Sequence, residues 1–345
     1  MVKLLRVALV LVLVVIMLGA YTRLTDAGLG CPDWPGCYGF IKPPVSEQSM
    51  ASAVQSFPNA EIDHSKAWNE MIHRYAAGTL GLLVFAMVII AILRRFVNTA
   101  PNQFAIKLPI ILGGLIILQA ALGMWTVTMM LQPAIVMGHL LGGFATLSLL
   151  LLLYLRESKW SPPTEPALKP LLPFACAVLI LVVVQIALGG WVAANYAALA
   201  CTDLPICQSN WLERIEISGA FSLSDATTYE FGTHSYNERL TIHVFHRFGA
   251  IAVLLAMSFL IHKLRRHASS QWFKSMALIL TLLLIAQVTL GILNVVLSLP
   301  LFVAVAHNAV GALLLAAMVA LTYALKYSAP AETTFNKTNQ ESHNG

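Results

Sequence analysis

Four histidines, His73, His139, His246 and His307, lie inside apolar stretches long enough to cross a bilayer. An ionisable side chain within hydrocarbon is costly, and such residues usually face the bundle interior and serve a site. Singly, each could be a hydrogen-bonded packing residue. Their spacing, however, repeats. Gln119 to His139 and Gln287 to His307 both span 20 steps, with Leu-Gly at 122–123 and 290–291 in between, and His73-Arg74 answers His246-Arg247. Each half of the chain therefore owns two imidazoles. Two axial nitrogens on opposite faces of one iron is how a four-helix bundle holds haem. Zinc takes three or four ligands, and each half offers two obvious ones.

Glu70 precedes His73 by three residues and so shares its helix face, whereas the other half reads His243-x-x-His246. Glu70 is either an interfacial acid or a carboxylate held near iron, fit for moving a proton or steadying positive charge. Repeated units that differ at one reactive position suggest that one performs chemistry while the other carries electrons. His243 receives no catalytic role. Arg74 and Arg247 are read as partners of haem propionates at the aqueous boundary, with snorkelling toward headgroups as the plainer alternative. His64 and His234 are expected in loops, and His262, His267 and His343 as basic or polar surface on the opposite side.

Cys31/Cys37 and Cys201/Cys207 are each six apart, and Gly19 to Cys31 and Gly189 to Cys201 both span 12 steps. That recurrence is read as two short disulfide loops, each bracing the outer segment just beyond its unit's first helix. A thiol relay that handles electrons is the alternative. A metal clip lacks further nearby ligands, and the C-x-x-C-H of covalent haem attachment is absent. Cys176, inside an apolar span, is expected to be a small core residue.

The elements that position these residues are set by composition. Hydrophobic residues make up 58% of the 345 and charged residues only 11%, about half the usual charged share, so the chain is an all-α integral membrane protein. Spans are expected at about 3–21, 72–93, 108–130, 134–155, 171–194, 240–262, 275–298 and 301–326. The first could instead be a cleaved signal peptide, but the repeat requires it as a helix. Lys3, Arg94, Lys107, Arg156, Lys263 and Lys326 lie at one set of helix ends and most acids at the other, which puts both termini in the cytoplasm and the histidine ends outside. The net charge of +5 is met by anionic lipid and implies no nucleic acid.

Eight transmembrane helices thus form two pseudo-symmetric four-helix bundles, 1–160 and 168–327, followed by a disordered cytoplasmic tail at 328–345. An even number of spans per unit makes this a parallel internal repeat.

At TRLTDAGLGCPDWPGC, Glu70-x-x-His73-Arg74, Gly138-His139, His246-Arg247 and His307-Asn308, together with both cysteine pairs and the eight spans, the sequence resembles the haem A synthase family through nearly its whole length. The resemblance implies oxidation of the C8 methyl group of haem O by two successive hydroxylations, through the alcohol haem I to a gem-diol that loses water to a formyl group. The product would serve haem-copper oxidase biogenesis. It places substrate haem O between His73 and His139 with Glu70 near the reacting methyl, and a haem b cofactor between His246 and His307. Cys31 and Cys37 rank second to Glu70 for a part in the chemistry. It further implies an inner-membrane setting, a haem O synthase (farnesyltransferase) upstream and an electron acceptor the sequence does not identify, and it leaves self-association open. Two other readings compete: a di-haem b electron-transfer protein without haem-modifying activity, and a transporter of parallel repeats, whose polar sites would sit nearer the bilayer midplane.

Overall fold

The computed structural model describes residues 1–97, 104–158, 160–205, 207–208, 210–223 and 225–328. The tail expected to be disordered falls, from 329 onward, outside the described residues. Among the described residues every named element is a helix, and eight helices are long and apolar enough to cross a membrane. The protein is a multi-pass membrane protein.

In the N-terminal half the order is α1 (Val2–Leu24), a short α2 (Glu47–Ser56), α3 (His64–Val97), α4 (Phe104–Thr128) and α5 (Pro133–Glu157). In the C-terminal half it is α6 (Leu172–Ala194), α7 (Ile217–Ala220), α8 (Tyr236–His267), α9 (Gln271–Val296) and α10 (Leu301–Tyr327). Each of the eight expected spans falls on one of these helices, with 108–130, 171–194 and 275–298 overrunning α4, α6 and α9 by one or two residues. Several run past the hydrocarbon boundary: α3 begins at His64, so that residue is helical rather than in a loop, while His234 does lie outside the helices. The start of α8 is fixed by a capping box, with the Ser235 hydroxyl accepting from Glu238 N–H and the Glu238 carboxylate accepting from Ser235 N–H at 2.6 Å. Ser46 and Ser49 cap α2 in the same way.

The repeat extends to the way the helices end. Ala27 N–H bonds Thr22 C=O across Asp26 at φ 49°, and Ala197 N–H bonds Val192 C=O across Tyr196 at φ 51°. This six-residue closure over a left-handed residue stops α1 and α6 and redirects the chain into the cysteine loops. Similarly, Leu131 N–H bonds Thr126 C=O and Leu299 N–H bonds Asn294 C=O, making the tight turns after α4 and α9.

Within the first unit α1 packs on α3 and α5, and α4 on α3 and α5; in the second, α6 packs on α8 and α10, and α9 on α8 and α10. The units meet where α1 and α5 touch α10 and where α5 touches α6. One apolar core runs through the seam, joining Leu5, Val12 and Leu147 to Val178, Leu315 and Met318. Arg23, at the end of α1, ties the seam by donating to Ala193 C=O at 2.8 Å and lying 3.8 Å over the Tyr196 ring. Large apolar side chains such as Leu82 and Phe302 remain exposed on the outer faces, which is how helices meet lipid rather than water. Cys176 belongs to that outer face: it is exposed, not a core residue, because lipid accepts a small weakly polar thiol as readily as a packed interior does.

Candidate haem-binding sites

His73 stands nine residues inside α3 and His139 six inside α5, both toward the end that carries the cysteine loops. Their rings face each other across the first unit with centroids 6.3 Å apart and planes at 89°. Two metal–nitrogen bonds of roughly 2 Å each, plus the reach from each nitrogen to its ring centre, fill about that separation. The Nδ1 atoms of His73, His139 and His307 are buried, and the three imidazoles meet backbone carbonyls of the preceding span, at Val15, Gln119 and Gln287.

Each of the four imidazoles is seated on a glycine of the preceding span. A Cβ at Gly19 would lie 3.0 Å from His73 Cε1, one at Gly123 3.4 Å from His139 Cε1, one at Gly189 3.1 Å from His246 Cε1, and one at Gly291 3.2 Å from His307 Cε1. The four cradles occupy equivalent places in the repeat; at Gly19, Gly189 and Gly291 an added Cβ would press on the ring, whereas at Gly123 it would make ordinary contact. Among the described residues no three His, Cys, Asp or Glu side chains gather into a cluster that could hold a metal ion. The donor set is therefore pairs of imidazoles, which suits the two axial positions of a haem and not the four-coordinate shell of zinc.

Glu70 is buried at 5% exposure one turn above His73. Its Oε2 accepts Cys31 N–H at 2.9 Å and its Oε1 is ion-paired with Arg74 Nη2. Arg74 Nη1 also donates to the carbonyls of Asp33, at 2.9 Å, and Gly36. Arg247 does the same in the second unit, donating to Asp203 C=O at 2.6 Å and Cys201 C=O at 2.5 Å. Both guanidinium groups thus reach into the cysteine loops. The loops are closed by the Cys31–Cys37 and Cys201–Cys207 disulfides, with Cα–Cα distances of 4.8 and 5.0 Å. Beside the first of them, burial and the nearby carboxylates of Glu70 and Asp33 raise the pKa of the Tyr38 phenol, whose hydroxyl donates to Glu61 C=O at 2.7 Å. His243, at the place of Glu70 in the second unit, is buried with Nδ1 3.0 Å from Ala197 C=O, so it holds the chain end beyond α6.

Sequence reasoning used Gln287 only as a mark of the repeat and did not single out Gln185. Gln185 Nε2 lies 3.0 Å from both Nδ1 and the carbonyl oxygen of His246, and Gln287 Nε2 lies 3.3 Å from His307 Nε2. Polar amides within apolar spans were the available signal.

A protein of Shewanella oneidensis named heme A synthase is 49% identical over 325 residues, 93% of this chain and 96% of that relative. Proteins with the same name from Caulobacter vibrioides and Halalkalibacterium halodurans are 28% and 26% identical, over 92% and 85% of this chain and 93% and 86% of their own. The model of the COX15-CtaA family, described as cytochrome oxidase assembly protein, matches residues 3–319. With eight membrane helices, repeated imidazole pairs and a family match that spans both halves, the chain belongs to the COX15-CtaA family.

Proposed function

We propose that this protein is a haem A synthase, an oxidoreductase that converts the C8 methyl group of haem O to a formyl group by two successive hydroxylations through haem I. The observation that carries the reading is an asymmetry: two units share their imidazole pairs, glycine seats and arginine-pinned loops, yet Glu70 occupies in one the place that His243 occupies in the other. The relatives' shared name supports the same activity.

In this reading residues 1–160 form the unit that takes haem O as substrate between His73 and His139, and residues 168–327 the unit that keeps haem b between His246 and His307. Haem b, when bound, supplies one-electron transfer. Glu70 sits at the rim over His73, held by Cys31 N–H and Arg74 so that it cannot swing. Each carboxylate oxygen keeps a further lone pair, enough to accept a proton from the substrate methyl region or to steady positive charge developing there. The Gly19 and Gly123 seats orient the two rings, and the loop closed by Cys31–Cys37 covers Glu70 from outside. We place the protein in a bacterial inner membrane with both termini cytoplasmic and the histidine ends facing outward, because the basic residues gather at the opposite helix ends. A haem O-forming farnesyltransferase supplies the substrate, and an electron acceptor drains the second unit.

The test is to express the chain in membranes that make haem O and no haem A, then chromatograph the extracted haems. Appearance of haem A, with haem I as a minor species, is the expected result. Haem O left unmodified alongside bound haem b would overturn the synthase reading in favour of a di-haem electron carrier.

A further inference from the structure

The two units also differ where their second and third membrane helices meet. In the first unit α3 and α4 close on each other at two glycines: a Cβ at Gly81 would lie 3.4 Å from Ile116, and one at Gly113 3.2 Å from Val88. Counted from the matched His73/His246 and Gln119/Gln287, the same places in the second unit carry Leu254 and Thr281. These side chains hold α8 and α9 apart, and a groove of about 410 Å³ opens between the two helices, lined by both residues. Ligand clefts run from about 300 to 1,000 Å³. The chemistry of the groove is its own as well. Ser258, His262, Arg265 and Thr289 line it, and the repeat sets Phe85, Ile89, Ile92 and Ala121 in their places. Contact with hydrocarbon alone does not account for four polar side chains that the sibling unit replaces with apolar ones, since polar groups at membrane depth are retained for a partner.

From Leu254 to Arg265 the groove follows α8 for about three turns, roughly 16 Å, which is the depth of one leaflet of a hydrocarbon core about 30 Å thick. Its polar end lies at the basic ends of the helices, where Lys263 and Arg266 flank Arg265. Among the described residues Arg265 forms no ion pair. The acid at the α8–α9 connection, Glu165, is taken up by the N–H groups of Ser269 and Ser270. Arg94, near the corresponding end of α3, is instead paired with Glu157 at 3.1 Å. One turn deeper than His262, the Ser258 hydroxyl makes no hydrogen bond among the described residues, whereas Thr146 and Thr322 donate to the carbonyl four residues back at 2.8 and 2.9 Å. A free cation at the boundary, a free hydroxyl beneath it and an apolar channel below both follow the order of groups in a phospholipid: phosphate, ester carbonyl, acyl chain. We propose that this groove binds an anionic phospholipid of the leaflet at the basic helix ends. Its phosphate lies against Arg265 and His262, an ester carbonyl accepts from Ser258, and one acyl chain runs along Leu254, Leu284 and Val288. The site belongs to the second unit alone, because α3 and α4 are closed at Gly81 and Gly113.

The experiment uses the full-length, haem-loaded protein in phosphatidylcholine vesicles that contain a trace of phosphatidylglycerol with a photoreactive diazirine on its acyl chain. A parallel sample carries the same chain on phosphatidylcholine. After illumination, mass spectrometry of proteolytic fragments reads how much of each probe is attached to 254–289 and to 81–121. The expected result is about fivefold more phosphatidylglycerol than phosphatidylcholine adduct on 254–289, the preference that one basic residue near an anionic surface confers, with no such preference on 81–121. His262→Gln with Arg265→Gln is expected to abolish the preference, and Arg265→Lys, which keeps the charge, to retain most of it, with haem content unchanged in both. Equal labelling of 254–289 by the two probes, the same preference on 81–121, a preference that survives the double variant, or one lost equally in Arg265→Lys would overturn the proposal. Labelling that an excess of a long-chain quinone displaces and an excess of unlabelled phosphatidylglycerol does not would also overturn it and assign the groove to a quinone.

Discussion

Cys31 donates its backbone N–H to Glu70 Oε2 at 2.9 Å, so the first residue of the disulfide loop and the carboxylate above His73 hold each other in place. The bond is charge-assisted and buried, a setting in which one hydrogen bond contributes about 1.5–3 kcal/mol. Glu70→Gln keeps an acceptor for Cys31 but removes the charge paired with Arg74. The expected outcome is a folded protein with both haems bound and at least a tenfold lower ratio of haem A to haem O plus haem I in extracted pigment. Undiminished haem A output would remove Glu70 from the chemistry.

The glycine seats predict site-selective loss. Gly19→Val places a branched side chain where a Cβ alone would come 3.0 Å from His73 Cε1, and Gly189→Val does the same at 3.1 Å from His246 Cε1. Each variant is expected to lose most of the haem from its own unit and retain it in the other, read as the haem-to-protein ratio by pyridine haemochrome. Equal loss from both units in either variant would show a general folding defect.

Arg74 and Arg247 are expected to act as loop staples. Arg74→Ala removes donors to Asp33 and Gly36 and the partner of Glu70, and leaves that carboxylate buried and uncompensated, which costs about 3–5 kcal/mol. Arg247→Ala removes donors to Cys201 and Asp203 and strands no carboxylate. Limited proteolysis should therefore cut the 25–63 segment in the first variant and the 195–235 segment in the second, with the larger fall in thermal midpoint for Arg74→Ala. Loops that stay protected in both variants would contradict this.

At the opposite end of the bundle Glu165 clamps three connections. Its carboxylate accepts Ser269 N–H at 2.9 Å and Ser270 N–H at 2.5 Å, and its own N–H donates to Ser328 C=O at 2.7 Å. Burial on its own would raise the carboxyl pKa, but the hydrogen bonds from Ser270 and Ser269 outweigh it and hold the group below its usual value. With the folded value depressed, the stabilisation is complete above the unfolded pKa of about 4.3 and is lost as pH falls through the folded value. Glu165→Gln should therefore lower the thermal midpoint at neutral pH, and the gap to wild type should close as the pH is taken below about 4. A gap that persists unchanged in acid would contradict the charge-based account.

Much of the fold was legible because a bilayer demands long apolar runs, and eight of them stand out from polar connections. The ends were less legible. The Ser235-x-x-Glu238 capping box and the polar turns that start α3 at His64 extend helices beyond the hydrocarbon, where hydropathy no longer reports. In the site, the histidines were readable from their cost in lipid and their repetition. Gly19, Gly123, Gly189 and Gly291 were visible only as marks of the repeat, since the ring that each must clear belongs to another helix. Arg74 and Arg247 were read as propionate partners from charge and position, and their contacts with loop carbonyls are a feature that spacing does not convey. Which carbonyls they meet depends on how the loops 31–37 and 201–207 fold back over α3 and α8. Cys176 was placed in the core for the same reason, because sequence does not distinguish the lipid face of a helix from its packed face.

The most direct measurement of the central claim is low-temperature electron paramagnetic resonance of the purified, haem-loaded protein and its single variants. The account predicts two low-spin ferric signals of bis-imidazole type. His73→Ala or His139→Ala should abolish or convert one of them, and His246→Ala or His307→Ala the other. A wild-type protein with no low-spin haem signal, or one whose signals survive all four substitutions, would contradict paired imidazoles as the basis of either site.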